Sequence, residues 1–154
     1  MMKTTTIVVG MDGSRQSEAA LRWAIEEAGY RQGRVLALMV RPNAALLPGT
    51  SFAPQPHGRL PVLEATYPLP ARIAAIRDEI TGAAPVDATV LTGDPTAELV
   101  AASENADLLV VGAHRHGGAV GEILLGSVAA HCVRHAKCPV VVITPEASAK
   151  YQTV

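Results

Sequence analysis

The chain has 154 residues, of which 49% are apolar and 18% are charged, and its formal net charge is −1. This composition can bury a core, so it excludes intrinsic disorder for most of the chain, and the length predicts a single domain over residues 1–154. The balanced charge and the 3% aromatic content disfavour nucleic-acid binding, whether by electrostatic attraction or by base stacking.

The first part of the chain alternates between strand and helix. Residues 5–11 form a run rich in β-branched residues, which is typical of a strand buried on both faces. Apolar residues then recur at helical spacing over 15–31, with Ser14 as the candidate N-cap and Gly33 as the stop signal. Residues 34–40 form a second apolar run, which predicts a second buried strand.

The middle of the chain begins with an irregular segment. Residues 41–65 contain five prolines and two glycines, which predicts a long loop without regular structure. Isoleucines on one face predict a helix over 70–82, and an alternating pattern over 85–91 predicts a strand at an edge of the sheet. After a turn, Pro95 is predicted at the first position of a helix that extends to about Glu104.

The last part of the chain repeats the alternation. Residues 107–112 predict a fourth strand, and residues 113–126 form a glycine-rich segment. A helix is predicted over 127–136 and a fifth strand over 139–143. Residues 145–154 are expected to form an irregular tail.

Five strands that alternate with four helices indicate an α/β fold, an open parallel sheet with helices on both faces. Ligands of such sheets bind at the carboxyl ends of the strands, where the strand order reverses. The sequence shows no run of ~18 apolar residues and no leader pattern, so we expect a cytoplasmic protein without a membrane partner. Cys132 and Cys138 lack partners at metal spacing and are interpreted as reduced thiols that contribute to packing.

Asp12 is the polar residue at the end of the first strand. The segment around it lacks both the GxGxxG dinucleotide turn and a Walker-type phosphate loop. Its carboxylate could accept a hydrogen bond from a ribose hydroxyl or hold a metal ion. It could equally form the turn that leads into the next helix, and both interpretations remain open.

The segment from Gly112 to Ser127 is the most informative one, because it contains five glycines in sixteen residues and leads into a helix. Its surroundings are rich in arginine and histidine, which fits a phosphate site beside a helix start. A flexible surface loop with solvated charges is the alternative. Ser127 is interpreted as a helix N-cap, a position compatible with a phosphate contact.

Several other chemistries are disfavoured. His131 and His135 have the spacing of a two-histidine metal pair but no third ligand, so we predict no metal site. GxSxG is absent, and we assign no catalytic residue. A phosphoacceptor receiver domain would need an acid beside Asp12 and further Asp and Lys residues at strand ends, where this chain has none.

Several separated segments occur together in the order and type seen in one family. The segments are residues 8–14 (VVGMDGS), 93–95 (GDP), 106–112 (ADLLVVG), 124–128 (LLGSV) and 138–143 (CPVVVI). Together they resemble the universal stress protein family, from Thr5 to Ile143 apart from residues 41–65. The resemblance implies a Rossmann-like fold of the adenine nucleotide alpha hydrolase type, with strand order 3-2-1-4-5.

The resemblance also implies a ligand, ATP or a related adenine nucleotide, accompanied by Mg²⁺. By motif position, it assigns to the site Met11, Asp12, Val40, Val111, Gly112, Gly126, Ser127 and Val128. Arg115, His116 and Gly117 complete the candidate site, because the two cations could reach the phosphates and Gly117 could supply the turn. The nucleotide-binding branch of the family shows Gly, two residues, Gly, nine residues, then Gly-Ser or Gly-Thr. Here His116 occupies the position of the middle glycine, and the loop is one residue longer.

Finally, the resemblance implies a homodimer that pairs through the strand over 139–143, an edge that invites a second copy. The expected function is that of a dimeric stress-response module that binds ATP with little or no hydrolysis. The changed glycine pattern leaves two alternatives open. These are a dimeric scaffold that binds no nucleotide, and a binder of cyclic AMP.

Overall fold

The computed structural model describes residues 3–42, 67–113 and 125–151, and within these ranges five strands alternate with five helices. The strands are β1 (Thr6–Met11), β2 (Arg34–Arg41), β3 (Val86–Thr92), β4 (Leu108–Gly112) and β5 (Val140–Ile143). The helices are α1 (Arg15–Tyr30), α2 (Leu69–Asp78), α3 (Pro95–Ser103), α4 (Ser127–His135) and α5 (Pro145–Lys150). None of the described helices has the length and apolar character needed to cross a membrane.

The strands form one sheet in the order β3-β2-β1-β4-β5, and every neighbouring pair is parallel. This confirms the predicted fold class, the strand order and the position of β3 at an edge. The chain moves from β1 to β2 and β3 on one side, and then returns to β4 and β5 on the other side. The order therefore reverses between β1 and β4, which is where such a sheet offers a crevice for a ligand.

Both faces of the sheet are buried, and residues alternate between two cores. In β1, Ile7 and Val9 belong to the core under α1 and α2, whereas Val8 belongs to the core under α3 and α4. Ile7 and Val9 are completely shielded from solvent, and Val8 is nearly so. Burial on both faces is the reason that the strand is a continuous apolar run in the sequence.

The starts of α1 and α3 carry side-chain caps, and the cap of α1 is the predicted residue Ser14. The Oγ atom of Ser14 accepts a hydrogen bond from the backbone N–H of Ser17 at 3.1 Å and caps α1. Asp94 caps α3 by accepting a hydrogen bond from the backbone N–H of Thr96 at 3.1 Å, and Pro95 lies in the first turn. Since both caps satisfy backbone donors that the helix itself cannot pair, they fix where each helix begins.

Some boundaries differ from the expectation. The predicted irregular tail over 145–154 is wrong for residues 145–150, because they form α5. The Oγ1 atom of Thr144 caps this helix by accepting a hydrogen bond from the N–H of Ala147 at 3.1 Å, and Tyr151 packs against the core under α1. Helix α2 ends at Asp78, earlier than the predicted residue 82. Strand β2 extends to Arg41, the first residue of the predicted irregular segment. Residues 43–65 of that segment lie outside the described residues.

The two cysteines are unbridged and contribute to packing, as predicted. Cys132 is fully buried in the core under α4, and Cys138 packs against the same core. Burial raises the pKa of both thiols, and the negative charge of Asp107 adds to the rise in the pKa of Cys138. Both thiols are therefore protonated and weakly nucleophilic at neutral pH.

Candidate functional site

A cavity of about 240 Å³ opens at the carboxyl ends of β1 and β4, where the strand order reverses. The structure brings together eight of the predicted site residues around it: Met11, Asp12, Val40, Val111, Gly112, Gly126, Ser127 and Val128. The other three predicted residues, Arg115, His116 and Gly117, lie outside the described residues. The described members of the predicted set therefore converge on a single concave surface, although they come from four different parts of the chain.

Sequence reasoning missed other residues of the same wall. They are Gly10, Ser14, Ser17, Leu38, Pro95, Leu99, Leu125 and Ala129. Pro95 and Leu99 lie four residues apart on one face of α3, which starts at the same edge of the sheet. Since that edge was already the expected location of the ligand, the helical spacing of these two residues was an available signal.

The inner wall of the cavity is apolar. Leu38 from β2, Leu99 from α3 and Val111 from β4 are each 3% exposed and line the cavity. Val40 lines it as well, at the partly exposed end of β2. Apolar walls with a small number of polar groups at the rim are typical of a small-molecule site.

Asp12 stands at the exposed rim of the cavity and also shapes the turn after β1. Its Oδ1 atom accepts a hydrogen bond from the backbone N–H of Ser14 at 2.9 Å. Gly13 between them has φ +85°, a conformation that glycine adopts without strain. The two interpretations of Asp12 are therefore compatible, because one carboxylate both forms the turn and faces the cavity.

The start of α4 forms another part of the cavity lining. The N-cap is Gly126, with φ +80° and no side-chain cap, so the prediction of Ser127 as the N-cap is wrong: Ser127 is the first helical residue. The first turn of α4 contains no acidic residue. Its N–H groups have no partner within the helix and carry the positive end of the helix dipole, which favours an anion at this side of the cavity.

The histidine pair on α4 lies away from this cavity. The ring centroids of His131 and His135 are 4.4 Å apart, both residues are exposed, and neither lines the cavity. Residues 3–42, 67–113 and 125–151 contain no group of three or more His, Cys, Asp or Glu side chains that could hold a metal ion.

Comparison of the sequence with known proteins gives one family. The family model described as "Universal stress protein family" matches residues 3–144. The chain is 38% identical over 155 residues to Universal stress protein Rv2623 of Mycobacterium tuberculosis, over 92% of this chain and 48% of that relative. The chain thus spans about half the length of the curated relatives that it matches.

Solved structures agree in fold. A universal stress protein from Archaeoglobus fulgidus is 25% identical with a TM-score of 0.62, over 90% of this chain and 92% of that one. A universal stress protein in complex with cAMP is 26% identical with a TM-score of 0.58, over 90% of this chain and 94% of that one.

Proposed function

Because this chain belongs to the universal stress protein family, we propose that the cavity between β1 and β4 binds an adenine nucleotide, with ATP as the ligand. The observation that carries the proposal is one cavity with three chemically different parts. It has apolar walls, a carboxylate at its rim and the start of a helix without acidic residues. A nucleotide has three matching parts, namely a flat base, a ribose with hydroxyl groups and an anionic phosphate.

In this proposal the base lies against Leu38, Leu99 and Val111, where its faces are shielded from water. The polar edges of the base lose their hydrogen bonds to water in such a site. Backbone groups at the strand ends near Met11 would replace those hydrogen bonds and avoid the cost of desolvation. The ribose hydroxyls donate to the carboxylate of Asp12, and the phosphates lie at the start of α4. This orientation places each part of the nucleotide against the part of the cavity that matches it chemically.

Residues outside the described ranges complete the proposed phosphate site. Where the family pattern has its middle glycine, this chain would use the cations Arg115 and His116 to contact the phosphates and Gly117 to supply the turn. Asp12 is the one carboxylate among the described residues that line the cavity. A Mg²⁺ ion that accompanies ATP would therefore be held chiefly by phosphate oxygens and water, an arrangement common for this ion.

We propose a cytoplasmic stress-signalling module that binds ATP and hydrolyses it slowly or not at all. Among the described residues of the cavity wall, Asp12 carries the only titratable side chain. General acid–base catalysis usually needs a group placed to move a proton at the reacting atom, and Asp12 lies at the ribose side in the proposed orientation. Binding rather than turnover is the activity that this wall supports.

The proposal includes a homodimer through residues 139–143. Strand β5 stands at one edge of the sheet and, within the described residues, pairs with β4 alone. Helix α5 packs on the α1 side of the sheet, so the described part of the chain leaves this edge available for a second copy. Light scattering after gel filtration should give twice the chain mass of 16.0 kDa, and a monomer at micromolar concentration would refute this part of the proposal.

Cyclic AMP is the second candidate ligand, since a relative of similar fold is a complex with cAMP. Its cyclic phosphate carries a single charge and would need fewer donors than a triphosphate.

The first test is mass spectrometry of small molecules released from the denatured protein, beside thermal-shift titrations with Mg-ATP and cyclic AMP. A ligand at a hundredfold excess over its dissociation constant stabilises the folded state by about 2.7 kcal/mol. A shift with either nucleotide supports the binding proposal and identifies the preferred ligand. No recovered nucleotide and no shift would refute it and favour the scaffold alternative.

Variants of Asp12 test the site itself. Asp12→Ala should weaken Mg-ATP binding about tenfold or more, because a hydrogen bond to a charged group contributes about 1.5–3 kcal/mol. Asp12→Asn keeps an oxygen that can accept from Ser14, so it preserves the turn but removes the charge. If Asp12→Asn binds ATP like the parent, Asp12 acts through the turn alone. Asp87→Ala, which removes an exposed carboxylate near the amino end of β3, is the matched control.

A further inference from the structure

The aromatic ring of Tyr67 covers the turn that carries Asp12. Tyr67 lies just before α2, and its ring stands beside Gly13: a β-carbon on Gly13 would lie 3.2 Å from the Cδ2 atom of Tyr67 and 3.4 Å from its Cγ atom. The ring thus fills the space that a side chain at Gly13 would take. The ring therefore packs on the same turn that the hydrogen bond between Asp12 and Ser14 closes.

The far end of Tyr67 is anchored to α1. Its hydroxyl group donates a hydrogen bond to the Oε2 atom of Glu18, which lies in the first turn of α1. Arg72 from α2 holds the same carboxylate with two bonds, from Nε to Oε2 at 3.0 Å and from Nη2 to Oε1 at 2.7 Å. Tyr67 therefore reaches from Gly13 in the turn to Glu18 in α1, and it joins the start of α2 to the start of α1.

The surroundings of Glu18 and Tyr67 keep each of these two groups in one protonation state. The hydrogen bonds from Arg72 lower the pKa of Glu18 against the opposing effect of burial. Burial and the bond to Glu18 raise the pKa of the Tyr67 phenol well above its ordinary value. Glu18 is therefore ionised and Tyr67 protonated throughout the physiological range, so the phenol remains the donor.

We propose that Tyr67 is a positioning residue for the nucleotide site, because it fixes the turn from Asp12 to Ser14 and so holds the Asp12 carboxylate at the rim of the cavity. Tyr67 acts through the turn, since it is not among the residues that line the cavity. The expected effect on nucleotide affinity rests on the proposed function, but the effect on the turn does not.

A double-mutant cycle tests the effect on affinity. Calorimetric titration with Mg-ATP compares the parent with Tyr67→Ala, Asp12→Ala and the double variant. Tyr67→Ala should weaken binding about tenfold in the parent but less than about twofold in the Asp12→Ala background, as expected for coupled residues. Tyr67→Phe keeps the ring but loses the hydrogen bond to Glu18, so it should weaken binding by about threefold, less than Tyr67→Ala does. Tyr30→Ala, at a tyrosine that is 84% exposed, should bind like the parent. An equal loss in both backgrounds, or no loss in either, would overturn the proposal.

Hydrogen exchange in the ligand-free protein tests the turn without a nucleotide. The amide of Ser14, which donates to Asp12, should exchange about tenfold faster in Tyr67→Ala, while the amide of Val9 in the buried strand β1 keeps its rate. A faster Ser14 amide in a protein that binds no nucleotide would support the positioning role and refute the proposed function. If the protein binds ATP but the exchange rate of the Ser14 amide is unchanged, the proposed function is supported and the positioning role is refuted. Equal acceleration at Ser14 and Val9 would mean general destabilisation and would overturn the positioning role.

Discussion

Replacing Gly126 with alanine should reduce both the stability of the fold and the affinity for ATP. Gly126 caps α4 at φ +80° and ψ 159°, a region that is populated essentially by glycine alone. Holding a residue with a β-carbon there costs about 1–3 kcal/mol. In a chain of this length 1 kcal/mol lowers Tm by about 2–4 °C, so we expect a fall of about 2–12 °C.

The loss of affinity has a separate cause. Relief of the strain would rotate the start of α4, and the first-turn N–H groups would no longer point at the proposed phosphate position. Loss of one hydrogen bond to a charged group costs about 1.5–3 kcal/mol, which corresponds to a loss in affinity of about 10- to 150-fold. Urea unfolding measures the stability, and calorimetric titration with Mg-ATP well below Tm measures the affinity.

Gly82→Ala provides the matched control. Gly82 also has a positive φ, +72°, with open space around it, and it lies close to Gly29 near the end of α1, far from the cavity at the start of that helix. This variant should lose stability but bind ATP like the parent. If Gly126→Ala loses the expected stability and still binds like the parent, the start of α4 does not hold the phosphates. If Gly82→Ala loses as much affinity, the effect reflects destabilisation rather than the site.

Three further predictions concern stability and thiol reactivity. Ser103→Ala should cost about 1–3 kcal/mol in urea unfolding, because the fully buried Ser103 hydroxyl accepts the backbone N–H of Lys137 at 2.8 Å, and a cost near zero would contradict this. Since Arg72 lowers the pKa of Glu18, this carboxylate contributes its full stabilisation above its ordinary pKa of 4.5 and loses it as the pH falls through the lowered pKa. Glu18→Gln should therefore flatten the fall of the unfolding free energy below about pH 4.5, and an unchanged curve would refute the assignment. Cys132 should resist a thiol reagent in the native protein at pH 7.5 and react in urea, whereas rapid native labelling at this position would show that the core under α4 opens easily.

The sheet could be predicted from the sequence because its central strands carry their own signal. A strand buried on both faces must be apolar throughout, and β1 and β4 are such runs, bounded by turn residues. The alternating pattern of β3 placed it correctly at an edge. In each case the order of apolar and polar residues indicates whether one face or both faces of the strand are buried.

Helix starts could be predicted where a local signal marks them, as Ser14 does for α1 and Pro95 for α3. Asp94 followed by Pro95 marks the start of α3, and Thr144 followed by Pro145 marks the start of α5 in the same way. The short α5 was missed because a chain terminus is expected to fray, yet its packing on α1 stabilises it. At α4 a serine after a glycine suggested a serine cap, whereas the backbone conformation requires the glycine at that position.

The candidate site could be predicted only in part, because some of its residues follow from local sequence patterns and others depend on contacts between distant parts of the chain. Residues at the ends of β1 and β4 follow from the strands themselves. For Leu99 the sequence offers only a partial signal: its spacing from Pro95 puts both residues on one face of α3, but whether that face lines the cavity depends on how α3 packs on the sheet. The contacts of Tyr67 and Arg72 with Glu18 join residues 49 and 54 positions apart, so only the folded chain shows them.

The turn after β1 shows how structure and proposed binding depend on the same bonds. The Asp12 carboxylate accepts a hydrogen bond from the N–H of Ser14, and the Ser14 hydroxyl accepts one from the N–H of Ser17. Two consecutive hydrogen bonds thus connect the rim of the cavity to the first turn of α1. Glu18 follows in that turn and holds Tyr67 against the outside of Gly13. A substitution at Glu18 should therefore shift the position of the Asp12 carboxylate, although Glu18 itself does not line the cavity. Residues that determine affinity in this chain should accordingly extend beyond the cavity wall to the face of α1 that meets α2.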